Sequence, residues 1–153
     1  MERGQILSKL NWFYNLELNQ VDPYMSQSGS FKDTYVSSAF ERIAYIEQQH
    51  VDNIAEKIKE MGGTPSKVGD VIFPIVGSIA GKVVSLGGLE RVLKANILIE
   101  NKAMQDYRAM IASLKESSYD EELMKILEHN LVDEDLHTAW FKTRLEEMGV
   151  FRN

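Results

Sequence analysis

Apolar residues recur at spacings of three and four along most of the chain, the signature of helices that bury one face. Four long segments carry it. The first runs from about Gln5 to Ser28, with Leu10, Phe13, Tyr14, Glu17, Val21 and Tyr24 on one stripe. Pro23 lies late in it and, by removing the amide that would bond the Asn19 carbonyl, predicts a kink or an end there. The second opens at a capping-box pattern, Ser38-Ala-Phe-Glu41, and places Phe40, Ile43, Ala44, Glu47, His50, Ile54, Ile58 and Met61 inward. Gly62-Gly63 and Pro65 end it. The third spans about Leu89 to Leu114, with Leu93, Asn96, Ile97, Glu100, Ala103, Met104, Tyr107 and Ile111 inward. The fourth starts near Ser118, where Ser118-Tyr-Asp-Glu121 repeats the capping-box pattern. Its stripe is Leu127, Asn130, Leu131, Glu134, His137, Phe141 and Leu145, closed by Met148-Gly149.

The connections differ in length. Between the second and third helices lie residues Gly62 to Gly88, rich in Gly, Val and Ile and carrying Pro74, too long for a tight hairpin. The expected fold is therefore all-α, a four-helix bundle of two antiparallel pairs joined by one long crossover that covers the core. No composition break divides residues 1–153, so one domain is expected.

Composition removes several classes of function. The net charge is −6 and no cluster of Lys and Arg is present, which argues against nucleic acid as a partner. Without cysteine there is no thiolate ligand, disulfide or cysteine nucleophile, leaving carboxylate and imidazole as the strong metal donors. The N-terminus lacks the apolar run of a secretory signal, so a cytoplasmic location is expected. The most apolar stretch, Val71 to Gly81, is about half the length that spans a bilayer, and the apolar residues from Val71 to Val84 read as linker packed on the bundle.

The chemistry sits on the stripes. Two of the three histidines follow a glutamate by three residues, in Glu47-Gln-Gln-His50 and Glu134-Asp-Leu-His137. That spacing puts carboxylate and imidazole on one helix face a turn apart, within reach of one metal centre. The other two helices each carry one inward glutamate, Glu17 and Glu100, so each helix pair offers Glu followed by Glu-x-x-His at intervals of 30 and 34 residues. Four ionised glutamates facing a core would each cost several kcal/mol unless a cation compensates them. Two divalent ions balance them, and this oxygen-rich set with a minority of imidazole suits iron first and manganese second. Tyr14 and Tyr107 are placed to hydrogen-bond a ligating carboxylate or to fill the core, and Asn96 and Asn130 to orient such bonds. His129 has no partner at three residues and is expected on the surface.

With this six-residue pattern, the chain resembles the ferritin-like di-iron carboxylate superfamily, which includes ferritins, bacterioferritins, rubrerythrins and demethoxyubiquinone hydroxylases. The resemblance implies an oxidoreductase in which two Fe ions, held by Glu17, Glu47, His50, Glu100, Glu134 and His137, react with O2 or peroxide. Rubrerythrins add a cysteine-built iron site, which this chain lacks, so the resemblance implies an external electron donor. Only Gly149 to Asn153 follow the fourth helix, so neither the fifth helix of cage-forming ferritins nor a 24-subunit cage is expected, and homodimers are. The Gly- and Val-rich crossover with Pro74, and the segment from Glu100 to His137, look similar to the demethoxyubiquinone hydroxylases, which implies a quinone-like apolar substrate as the alternative. Iron binding and detoxification without an organic substrate is the third reading.

Overall fold

A computed structural model describes residues 1–67, 88–115 and 120–150. These form four helices: α1 (Arg3–Ser28), α2 (Thr34–Glu60), α3 (Leu89–Lys115) and α4 (Glu121–Glu147), with no strand among the described residues.

Side-chain bonds fix the arrangement. Arg3 at the start of α1 donates through Nε to the Met61 carbonyl at the end of α2 (2.9 Å), and Lys115 at the end of α3 faces Glu128 of α4 (3.4 Å), so both pairs are antiparallel. Tyr107 and Asn96 of α3 bond Glu17 and Gln27 of α1, while Asp33 and Lys57 at the two ends of α2 meet Arg144 and Glu122 of α4. Around the bundle the order is therefore α1, α2, α4, α3, with every neighbouring pair antiparallel. In this order α2 ends and α3 begins at opposite ends of the bundle, as expected of two pairs joined by a crossover. The crossover's residues 68–87, including Pro74 and the apolar run from Val71 to Val84, lie outside the described residues.

Helix ends correct three expectations. α2 starts four residues before Ser38, because Asp33 caps it by accepting from the Val36 amide (3.1 Å). Ser38 is an exposed residue inside the helix. Asp120 caps α4, accepting from Glu122 and Leu123 amides, so the cap is not Ser118, which lies outside the described residues. In both places an aspartate upstream or downstream of the serine offers the helix N-terminus an anionic acceptor, which a hydroxyl does not. Pro23 does not end α1, which continues to Ser28. Tyr24 and Gln27, both in the turn after it, are buried and bonded to Glu100 and Asn96 of α3, and these contacts hold the last turn. Gly62 and Gly149 do close their helices, at φ of 70° and 79°, a left-handed conformation that favours glycine.

The core has two apolar ends. One gathers Leu10, Phe13, Ile54, Ile58, Tyr107, Met110, Leu123 and Leu127. The other gathers Tyr24, Val36, Phe40, Val92, Leu93, Phe141 and Leu145. Each large side chain so buried contributes about 1.5–3 kcal/mol. Between them lies a belt of buried polar side chains.

Candidate metal centre

The belt contains all six residues of the sequence pattern. Glu17, Glu47, Glu100 and Glu134 are wholly buried, and His50 and His137 nearly so. They fall into two groups, Glu17, Glu47, His50 and Glu134, and Glu47, Glu100, Glu134 and His137. Within each group the donor atoms all lie within 4.8 Å of one another. Glu47 and Glu134 belong to both. Their oxygens divide accordingly: His50 Nδ1 lies 3.4 Å from Glu47 Oε2 and 3.4 Å from Glu134 Oε1. His137 Nδ1 lies 3.2 Å from Glu47 Oε1 and 3.5 Å from Glu134 Oε2. Glu17 Oε2 stands 3.8 Å from the first histidine and Glu100 Oε1 3.5 Å from the second. Two positions thus share two carboxylates, and each has a glutamate and a histidine of its own.

The surrounding bonds leave the inward atoms free. Both oxygens of Glu47 and of Glu134, Glu100 Oε2, and Nδ1 of both histidines are buried without a hydrogen bond. Buried polar atoms are normally paired, so seven that converge on two points need a partner that is not a side chain. Two divalent cations fit: they would use every one of those atoms and would cancel four negative charges. The six side chains have the composition and arrangement of a two-iron carboxylate centre.

Protons take part of that load when cations are absent. Burial, followed by the charge of Glu134, pushes the Glu17 and Glu100 carboxyls well above the ordinary carboxylate range. Burial also opposes a charge on the histidines, but the carboxylates facing them outweigh it, raising His50 well above its usual value and His137 to about 12. Glu134 is held low: burial works against its ionisation, but protonated Glu100 and the two histidines overcome it.

Outer bonds orient these side chains. Tyr107 donates to Glu17 Oε1 (2.5 Å), itself receives a bond from Asn130 Nδ2 (3.0 Å), and stacks on Phe13 at 4.2 Å between ring centres. Tyr24 donates to Glu100 Oε1, and Gln20 Nε2 donates to Glu17 Oε2 (3.2 Å). His50 Nε2 meets Asp133 Oδ2 at 3.1 Å. Of the two tyrosines read from the sequence, Tyr107 reaches one of the six, Glu17. Tyr14 does not: it is half-buried and packs against the apolar end of the core, and Tyr24 takes the place expected of it. The signal was present, since Tyr24 follows Glu17 by seven residues as Tyr107 follows Glu100. Asn130 orients Tyr107 as expected, Asn96 instead pairs with Gln27, and His129 is exposed. Sequence spacing missed Gln20 and Asp133.

Tyr24→Phe keeps the ring between Phe40 and Phe141 while removing the donor to Glu100. It should weaken cation binding at the Glu100/His137 position about 10-fold, read by calorimetric titration with Co2+, and leave the other position unchanged.

Comparison with known proteins bears on this geometry. Residues 7–149 match the family described as Ferritin-like domain. The chain belongs to the ferritin-like family. This ferritin-like chain is 24% identical over 143 residues to the bacterioferritin of Desulfovibrio desulfuricans, covering 92% of this chain and 74% of that protein. The X-ray structure of Desulfovibrio desulfuricans bacterioferritin, described with its diiron site in different catalytic states, superposes with a TM-score of 0.79. That match has 22% identity and covers 97% of this chain and 82% of that one. The ferritin-like bundle is thus common to both. No described helix is long and apolar enough to cross a membrane.

Proposed function

We propose that the protein is an iron-binding oxidoreductase of ferroxidase type, oxidising ferrous iron with dioxygen or peroxide at a pair of iron ions. Glu17 and His50 would hold one ion, Glu100 and His137 the other, and Glu47 and Glu134, common to both groups, would serve both. The observation that carries this reading is the division of each bridging carboxylate, one oxygen towards each histidine. Bacterioferritin relatives and the donor set favour iron over manganese.

When bound, the iron pair supplies one electron from each ion, matching the two-electron reduction of dioxygen to peroxide. The chain's own groups set the conditions. Four carboxylates would balance the charge of two dications in a dry core, and without cations protons on Glu17, Glu100, His50 and His137 carry part of that balance. Tyr24 and Tyr107 donate to Glu100 and Glu17, the carboxylates that would each serve one ion, and so fix their orientation. The His50 to Asp133 contact runs outward to a side chain that is 36% exposed, and it fixes which ring nitrogen faces the centre.

Hydroxylation of a quinone-like ring requires an apolar cavity against the ligands. Among the described residues, the apolar hollow formed by Ile97, Leu98 and Leu145 contains none of the six, and the crossover that prompted this alternative lies outside the described residues. External reductant, homodimers and a cytoplasmic location belong to the same proposal. The test is elemental analysis after anaerobic ferrous loading, followed by exposure to oxygen with near-ultraviolet detection of an oxo-bridged iron pair. Two irons per chain and an oxygen-dependent band are expected. Retention of many more would favour storage, and binding of no transition metal would overturn the assignment of all six residues.

A further inference from the structure

The two halves of the buried centre can be compared residue by residue, because the helix pairs repeat. A shift of 83 residues carries Glu17 and Tyr24 of α1 onto Glu100 and Tyr107 of α3, and a shift of 87 carries Glu47 and His50 of α2 onto Glu134 and His137 of α4. The hydrogen bonds obey the same relation: Tyr107 of α3 donates to Glu17 of α1, and Tyr24 of α1 donates to Glu100 of α3. Beyond these pairs the correspondence breaks, and always in favour of the same half.

Three polar side chains brace the Glu17/His50 half. Asp133 Oδ2 lies 3.1 Å from His50 Nε2, Gln20 donates to Glu17 Oε2 (3.2 Å), and Asn130 donates to Tyr107 (3.0 Å), the phenol that bonds Glu17. Under the same shifts their counterparts around Glu100 and His137 are Ile46, Ala103 and Ile43, none of which can bond an imidazole, a carboxylate or a phenol through its side chain. The effect is visible at His137, whose Nε2 is buried without a hydrogen bond. From side chains outside the six, Glu17 and His50 thus share three hydrogen bonds among the described residues, and Glu100 and His137 one.

We propose that the two metal positions are unequal: the Glu17/His50 position retains its cation, the Glu100/His137 position binds more weakly and exchanges its own, and Asp133, Gln20 and Asn130 are the positioning residues that set the difference. The proposal rests on the two-metal reading above and gives each position a role in it, a resident ion at one and an exchanged substrate ion at the other. Side chains fixed before a cation arrives lose less freedom on binding it. A carboxylate on the outer nitrogen of a histidine also fixes the ring's tautomer and orientation and raises the basicity of the nitrogen facing the metal, an effect of about 10–100-fold in affinity. His137 lacks that partner because α2 carries Ile46 where α4 carries Asp133.

The test is a calorimetric Co2+ titration of metal-free protein, read as two successive affinities. Repulsion between two dications weakens the second step even in an equal pair, so the variants must show which position fills first. Asp133→Leu should weaken the first step at least about fivefold, and Asp133→Asn, which keeps an acceptor for the ring N–H, should recover most of that loss. Ile46→Asp supplies the missing carboxylate and should strengthen the second step about 10-fold while the first changes less than about twofold. Ile46→Asn places an uncharged acceptor at the same half-buried position and should act in the same direction, more weakly. In an equal pair the results exchange places, with Asp133→Leu weakening the second step and Ile46→Asp strengthening the first, and that pattern would overturn the proposal. A loss spread over both steps in Asp133→Leu, with no gain in either Ile46 variant, would mark Asp133 as structural and overturn it too. Failure of the unaltered protein to bind two Co2+ would overturn the two-metal reading and this proposal with it.

Discussion

Glu134→Ala should yield a folded protein whose oxygen-dependent oxidation of ferrous iron falls at least about 100-fold, the largest loss expected from any single change in this molecule. Glu134 is wholly buried and offers one oxygen to each position, so its removal strips a ligand from both. Glu100→Ala also abolishes the paired reaction, but it removes a ligand from one position only, and the Glu17/His50 position should keep its cation. The two variants separate in a calorimetric Co2+ titration, with no tight site in Glu134→Ala and one in Glu100→Ala. Retained turnover in either would sink the assignment. Stability of the metal-free protein should fall as well. Burial opposes the charge on Glu134, but protonated Glu100, His137 and His50 outweigh it and hold the carboxyl below its usual range, so its negative charge stabilises the metal-free fold at neutral pH. Replacing it by Gln, which keeps the volume, should lower the melting temperature of the metal-free protein and abolish the metal response.

The six residues of the centre were legible because helical periodicity and metal chemistry make the same demand. A carboxylate on an apolar stripe is anomalous under burial alone, and Glu17, Glu47, Glu100 and Glu134 all stand on such stripes. The repeated Glu-x-x-His then fixes which faces meet. Tyr24 could be found from its seven-residue spacing to Glu17, but only once the matching Tyr107 was seen to bond across the bundle to Glu17 and not along its own helix. Asp133 gives no such signal. It sits next to Glu134 on the edge of the inward face, and what makes it a partner of His50 is the approach of α2 to α4, a tertiary fact. The helix starts are ambiguous for a local reason: Ser38 and Ser118 fit the capping-box pattern, but Asp33 and Asp120 are also good caps, and the choice depends on which turn packs. Pro23 is a breaker by local rules, while Tyr24 and Gln27 hold the turn beyond it through contacts far away in sequence.

Two divalent cations should raise the melting temperature by about 15 to 30 °C at neutral pH, and the gain should shrink as the pH falls. A ligand at 1,000 times its dissociation constant contributes about 4 kcal/mol, so two sites contribute about 8 kcal/mol, and a domain of this size shifts about 2–4 °C per kcal/mol. The pH dependence follows from the protons that occupy the centre when metal is absent. Glu17 and Glu100 have folded pKa values above the unfolded 4.5, and His50 and His137 above the unfolded 6.5, so the native metal-free protein binds more protons than the unfolded chain. Stability falls with rising pH wherever that holds, by about 1.4 kcal/mol per pH unit for each such proton. Metal-free protein should therefore lose stability as the pH rises from about 5, first through the two glutamates and above about 6.5 through the histidines as well. The low pKa of Glu134 acts in the opposite sense only below its unfolded 4.5, outside this range. Cations take the place of these protons and gain affinity as the pH rises, so metal-loaded and metal-free melting curves should diverge between about pH 5 and 8. Calorimetric melts with excess Mn2+ and with chelator at several pH values measure both slopes. Parallel curves would mean that the four carboxylates do not share their protons with a metal site, and the electrostatic account of the centre would fail.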